Sequence, residues 1–268
     1  MMRSALLAGL VALPLVAPAG AADLPAPAPA AEPAPIAIKP PSDWKFQVTL
    51  YGWATAMDGT IGVRGLKPAK VNMSAGDVLS DLNGALMGSF LAQNANWTVL
   101  LDLIFADVSD KVHLGPRGGV TAKMALQQII GSGVVGYRVP LDLPDTMRLT
   151  GTVGFRYQHL DGDLKLNSSG GRFNFGDGGT QDWIDPTVGF IYQVNFTDKV
   201  FMNVIGDIGG FGVSSNLTAQ GFAALGYKWT EAFSTSLGYR AIYTDYVSGG
   251  FEYDVTQHGV FLGAAYRF

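Results

Sequence analysis

The chain has 268 residues, no cysteine, a formal net charge of -4 and a pI of about 5.3, with 35 glycines and 30 Phe, Tyr and Trp side chains (15, 10 and 5). The acidic balance excludes the basic footprint of a nucleic-acid-binding protein, and the lack of cysteine suits a chain that crosses an oxidising compartment. Charged residues make up only 15% against roughly 25% in soluble proteins, so much of the surface is expected to face something other than water.

Residues 1–21 read as a signal peptide. Arg3 supplies the basic start, residues 5–16 the apolar stretch, and Ala19-Gly20-Ala21 the small-residue cleavage site, with cleavage expected after Ala21. The apolar stretch is shorter than the roughly 18 residues a membrane helix needs and is interrupted by Pro14 and Pro18. Residues 22–43 follow as a Pro/Ala-rich spacer whose composition favours extended, solvated chain over a core.

From residue 44 to 268 the pattern is period-2 alternation, the mark of strands with two unlike faces. Trp97, Val99, Leu101, Leu103 and Phe105 oppose Thr98 and Asp102; Leu149, Val153, Phe155 and Tyr157 oppose Arg148, Thr150, Thr152 and Arg156. Further on, Leu217, Ala219, Ala223, Leu225 and Tyr227 oppose Gln220, Gly226 and Lys228. At the C-terminus, Val260, Leu262, Ala264, Tyr266 and Phe268 alternate with Phe261, Gly263, Ala265 and Arg267. The apolar face suits lipid and the other a lumen.

Turn signals at 94–96, 140–145, 197–198 and 230–231 are short, whereas 57–82 and 161–182 are long and rich in Gly, Asp, Asn or Ser. Short periplasmic turns and longer external loops are the habit of outer-membrane barrels. The fold expected is therefore all-β: a transmembrane antiparallel up-and-down β-barrel of about ten strands. Their expected positions are 44–56, 83–93, 97–112, 120–139, 146–160, 183–195, 199–212, 216–229, 232–246 and 253–268. Eight strands result if weak ones drop out, and twelve if residues 60–63 and 69–73 enter the wall. Residues 74–82 break the alternation and fit a short helix capped by Ser74, with Asp77 three residues on.

The last strand, ending in Phe268 with apolar residues at every second position, resembles the signal by which outer-membrane barrels are handed to their insertion machinery. Together with Leu50-Tyr51-Gly52-Trp53, Asp207-Ile208-Gly209-Gly210-Phe211-Gly212 and Gly238-Tyr239-Arg240, it makes residues 44–268 resemble the outer membrane protein β-barrel domain family. That family holds small surface-antigen, OmpA-like and porin-like barrels of Gram-negative bacteria. The resemblance implies an outer-membrane address, contact with outer-membrane lipids and lipopolysaccharide, and recognition by the insertion machinery through Val260, Leu262, Ala264, Tyr266 and Phe268. It brings no catalytic motif, and fold analogy leaves the activity open.

Eight charges are expected in the lumen by alternation: Asp102, Arg148, Arg156, Asp185, Asp207, Lys228, Arg240 and Arg267. Unpaired charges in a narrow interior are costly, so these either pair into a plug or form a constriction that filters small solutes. Trp97, Tyr157, Tyr227, Trp229, Tyr239, Tyr243, Tyr266 and Phe268 fit the aromatic girdles at the two membrane surfaces. No cofactor or metal motif occurs, and His113, His159 and His258 lie far apart.

Three functional readings follow: a non-enzymatic barrel with a structural or surface-interaction role and a plugged lumen; a narrow porin-like channel; and an outer-leaflet lipid-modifying enzyme. The third would pair an outward His159 with a serine and an acid. Oligomeric state, solute and partner are not legible.

Overall fold

A computed structural model describes residues 43–62, 68–114, 120–168 and 174–268, with side chains described at all of these except 110–122, 124 and 164–177. The signal peptide and nearly all of the spacer lie outside the described residues, as do residues 63–67, 115–119 and 169–173.

Eleven strands and one short helix follow one another: β1 (Lys45–Gly62), β2 (Ala69–Met73), α1 (Ala75–Ser80), β3 (Leu82–Gln93), β4 (Trp97–Leu114), β5 (Val120–Arg138), β6 (Met147–Ser168), β7 (Asn174–Asn195), β8 (Val200–Gly210), β9 (Leu217–Lys228), β10 (Phe233–Ser248) and β11 (Phe251–Arg267). Each pairs antiparallel with the next in sequence, except that β3 pairs with β1 rather than with β2. β11 pairs with β1 from Gln47↔Arg267 to Gly62↔Glu252 and closes the sheet. Ten strands form the wall, because β2 pairs with β1 alone, at Met57–Ile61. Among the described residues no helix is long and apolar enough to cross a membrane.

Closure is needed because, in hydrocarbon, every backbone N–H and C=O must find a partner within the protein. The final pair is reciprocal: Phe46 N–H donates to Phe268 O at 3.1 Å and Phe268 N–H to Phe46 O at 2.9 Å. At this end the turns cap themselves. The Asn94 side chain accepts from the backbone of Asn96 and Trp97, Thr197 from Lys199 and Val200, and Thr230 from Ala232 and Phe233. These side chains stand in for ladder bonds where the chain reverses. At the other end Gly249 and Gly250 turn the β10–β11 hairpin with φ of 60° and 91°, the left-handed pair that a two-residue hairpin requires.

The two faces of the wall differ sharply. Val48, Leu50, Leu86, Leu101, Leu103, Val153, Val188, Leu237, Val260 and Leu262 point outward and are exposed. Five outward positions at the C-terminus, from Phe268 back to Val260, precede His258 on β11; on β6 Tyr157 precedes His159, and on β1 Ala56 precedes Asp58. About ten residues of tilted strand cover about 25 Å, the height of the apolar band of outer-membrane barrels. Trp97, Tyr227, Trp229, Tyr266 and Phe268 stand outward at the turn end of that band, while Tyr157, Tyr239 and Tyr243 stand outward toward the opposite end.

Two expectations need correction. Residues 161–182 were expected as a long loop, but the β6–β7 ladder runs on from Asp161↔Thr180 to Asn167↔Asn174. Ladder bonds join backbone groups and are indifferent to the Gly and Asp side chains that suggested a loop. The long loop expected at 57–82 likewise holds strand, at residues 57–62 and 69–73, but this adds no wall strand because β2 finds only β1. Aromatics line the inner face as well: Trp53, Trp183, Tyr246, Tyr253 and Phe261 are buried inside.

Candidate functional site

The candidate site is the interior of the barrel, and each strand delivers every second residue to it. Its centre is one continuous polar chain. Arg240 on β10 donates from Nη2 to Asp102 Oδ2 on β4 at 2.7 Å and from Nη1 to the Tyr51 hydroxyl on β1 at 3.0 Å; that hydroxyl donates to Asp102 Oδ1 at 2.7 Å. Arg240 also donates from Nε and Nη2 to Gln220 Oε1 at 3.0 and 2.6 Å, and Gln220 Nε2 donates to Asp207 Oδ2 at 2.9 Å. Asp207 Oδ1 takes Arg156 Nη2 at 2.7 Å, and Arg156 Nη1 donates to Thr218 Oγ1 at 2.8 Å. Two arginines and two aspartates thus neutralise one another across the lumen. Arg156 is 1% exposed, a burial that a guanidinium tolerates only when paired and hydrogen-bonded.

Toward the external end the layers alternate in character. Trp53, Ile104, Ile130 and Ile242 pack together, with Tyr51 and Met87 against them. Next comes an amide layer: Gln128 on β5 and Gln257 on β11 exchange two hydrogen bonds, at 3.2 and 2.7 Å, and Gln158 on β6 donates to Thr244 on β10 at 2.9 Å. Beyond it Trp183 stacks on Tyr246 with ring centroids 4.2 Å apart, among Met57, Leu160, Tyr253 and Val255. Toward the turn end a cavity of about 130 Å³ lies under the charged layer, lined by Thr49, Ser132, Gln193, Asn203, Ser234 and Phe261 among others. It has room for a handful of water molecules.

All eight charges expected in the lumen sit on inward positions, but only Asp102, Arg156, Asp207 and Arg240 meet there. Asp185 is fully buried and accepts from the Ser215 backbone N–H and hydroxyl, which pins the 211–216 turn. Arg148 donates to the carbonyls of Asn94 and Ala95 at 2.8 and 3.1 Å and to Thr98 Oγ1 at 3.2 Å, securing a turn. Lys228 reaches Asn195 Oδ1 at 2.9 Å and Arg267 reaches Gln47 at 3.2 Å, both at the turn-end mouth. Of the uncharged members, Gln220 was read on the inward face, whereas Tyr51, Gln128, Gln158, Thr244 and Gln257 were missed. Their signal was present as polar residues on the inward parity of strands already identified.

Outside the wall, His159 Nδ1 lies 2.7 Å from Asp182 Oδ1, which also accepts from the Tyr157 hydroxyl at 2.6 Å. The acid expected beside His159 is there; among the described residues no serine is bonded to the imidazole. His258 lies between the Tyr239 hydroxyl and Asp58, at 2.5 and 3.0 Å. His113 lies on β4, its side chain outside the described residues. Among the described residues no group of three or more His, Cys, Asp or Glu side chains stands ready to hold a metal ion.

No family model matches the sequence, and no curated protein does either. Among solved structures, the outer membrane protease OmpT from Escherichia coli is similar at a TM-score of 0.53 and 11% identity, with 84% of this chain and 97% of that one covered. The transport unit of the autotransporter AIDA-I from Escherichia coli gives 0.41 and 6% over 87% and 91%. Ail, the attachment invasion locus protein of Yersinia pestis, gives 0.34 and 12% over 84% and 98%. At 11% identity the likeness to OmpT is one of fold alone.

Proposed function

We propose that this outer-membrane β-barrel is a non-enzymatic envelope protein with a structural or surface-interaction role, its lumen closed by its own side chains. The observation that carries this reading is the succession of cross-lumen contacts. The Arg240–Asp102, Gln128–Gln257 and Gln158–Thr244 bonds each join strands on opposite sides of the wall, and the Trp183–Tyr246 stack lies above them. A solute crossing the barrel has to break each in turn. Interiors of barrels of about eight strands are ones that side chains fill, whereas aqueous channels belong to sixteen or more.

The experiment is single-channel recording on refolded, heat-modifiable protein in planar bilayers at two salt concentrations. Silence is expected. Reproducible steps that scale with salt overturn the reading and make the Arg156–Asp207–Arg240–Asp102 layer a selectivity element.

The channel reading draws on the turn-end cavity, which already brings solvent-sized space up to Arg156 and Arg240. It requires the amide and aromatic layers to part. The lipid-modifying reading has an oriented His159 but, among the described residues, no nucleophile bonded to it, and unchanged lipid A mass spectra between deletion and overexpression strains count against it. Residues 1–21 enter the same proposal as an export signal, with Ala22 as the first residue of the mature chain.

A further inference from the structure

The turn end of the lumen is lined by one sign of charge. From the strand ends up to the Arg240–Asp102 and Arg156–Asp207 pairs, the inward positions of the strands hold five cations, Lys45, Arg138, Arg148, Lys228 and Arg267, and no carboxylate. The carboxylates of this end sit outside the ladders, at Asp43, Asp142, Asp145, Asp198 and Glu231, and among the described residues none forms an ion pair with the five. Arg148 stands in the field of Arg138, and Lys228 in that of Arg267 and, more weakly, of Asp198. A cleft with low-dielectric walls and one sign of charge concentrates the opposite ion.

Behind this mouth lies the cavity of about 130 Å³. Hydroxyls line it from Thr49 on β1, Ser89 on β3, Ser132 on β5 and Ser234 on β10, amides from Gln193 on β7 and Asn203 on β8, and Arg156 and Arg240 stand at its head. Two of these groups have a donor to spare: Ser132 Oγ and Arg156 Nε are buried without a partner, and a buried donor left unbonded is costly. Further up, the Trp53 layer and the amide layer occupy the lumen, so the chamber is entered from the turn end. One bond crosses the way in: Gln93 Nε2 donates to Gln193 Oε1 at 2.9 Å, joining β3 to β7. It leaves the wider arc, from β8 round to β1, where Lys228, Arg267 and Lys45 stand.

The short turns mark the periplasmic side of an outer-membrane barrel, and an occupant of the chamber comes from there. It is anionic, to be drawn past the mouth; small, to fit where a handful of waters fit; and rich in acceptor oxygens, because the lining offers hydroxyl, amide and guanidinium donors. We propose that the turn-end chamber is a binding site for a small oxyanion of acetate or phosphate size, drawn in past Lys228 and Arg267 and held beneath Arg156 by the Ser132 and Asn203 side chains. The site needs only the chamber and its mouth, so it is independent of whether the layers above conduct.

Amide NMR of the refolded, heat-modifiable protein in a detergent without phosphate groups tests it. Inorganic phosphate replaces chloride at constant ionic strength, low and then high, and acetate does so in a second series. The Thr49, Ser132 and Asn203 resonances are expected to shift and saturate with at least one of the two anions, which separates phosphate from carboxylate chemistry, while those of outward-facing Leu101 and Val153 stay in place. Asn203→Met fills the chamber without touching the four paired charges and should abolish the Ser132 shift. Lys228→Gln with Arg267→Gln leaves the chamber as it is and should raise the half-saturating concentration several-fold at low ionic strength, a gap that closes at high ionic strength as the mouth is screened. No saturation with either anion, a Ser132 shift that survives Asn203→Met, or an unchanged half-saturating concentration in the mouth variant at low ionic strength overturns the proposal.

Discussion

Arg240 binds Asp102, Tyr51 and Gln220 at once, so removing its charge strands a buried carboxylate. Arg240→Met is expected to cost roughly 3–5 kcal/mol in urea unfolding from vesicles, whereas the double change with Asp102→Leu recovers most of it, because a buried pair replaced by apolar residues is often neutral. Equal losses in the single and double variants contradict the pairing. Asp77 offers a second test, outside the wall. Its carboxylate accepts from the Ser74 backbone N–H and hydroxyl, bonds that hold its pKa below the usual carboxylate value. A depressed folded pKa means that this contribution is present above the unfolded value and lost as pH falls through the folded one. The capping box should therefore open on acidification below the ordinary carboxylate range, seen as loss of amide-proton protection at Val78. Ser74→Ala should produce the same loss at neutral pH. Which face each charge takes was legible, since strand parity decides it. Partner choice was not: Arg240 meets Asp102 from the far side of the lumen, and that depends on strand tilt and number.

Among the elements, the strands with one apolar face were legible because lipid and lumen demand opposite side chains at successive positions. The upper half of the β6–β7 hairpin was not, since beyond the bilayer both faces are wet and the alternation fades while the ladder continues. α1 was legible through the Ser74 and Asp77 spacing. A glycine on β11 shows how closely neighbouring strands approach. A Cβ on Gly259 would run into the Ala54 carbonyl oxygen, so Gly259→Ala cannot be accepted without moving β1. This variant should refold with a clearly smaller heat-modifiable fraction than Gly52→Ala, whose Cβ meets open space. Equal folded fractions would mean that the β1–β11 junction yields more readily than its geometry implies.

For the whole molecule, the even strand number and the common end of the short turns were readable from the chain, because termini on one side force parity. The contents of the lumen were only half readable: the charges pointed to pairing, but the aromatic layer of Trp183, Tyr246 and Tyr253 follows from which inward residues share a level. The closing pair has a further consequence, for kinetics. Hairpins such as β9–β10 join residues close in sequence, while Gln47↔Arg267 links the two ends of the barrel and carries the largest loop-closure entropy. Assembly therefore finishes at the junction of β1 and β11, and until that step the nascent sheet carries two bare edges. A chain shortened within β11 would halt there, prone to join other chains edge to edge rather than itself.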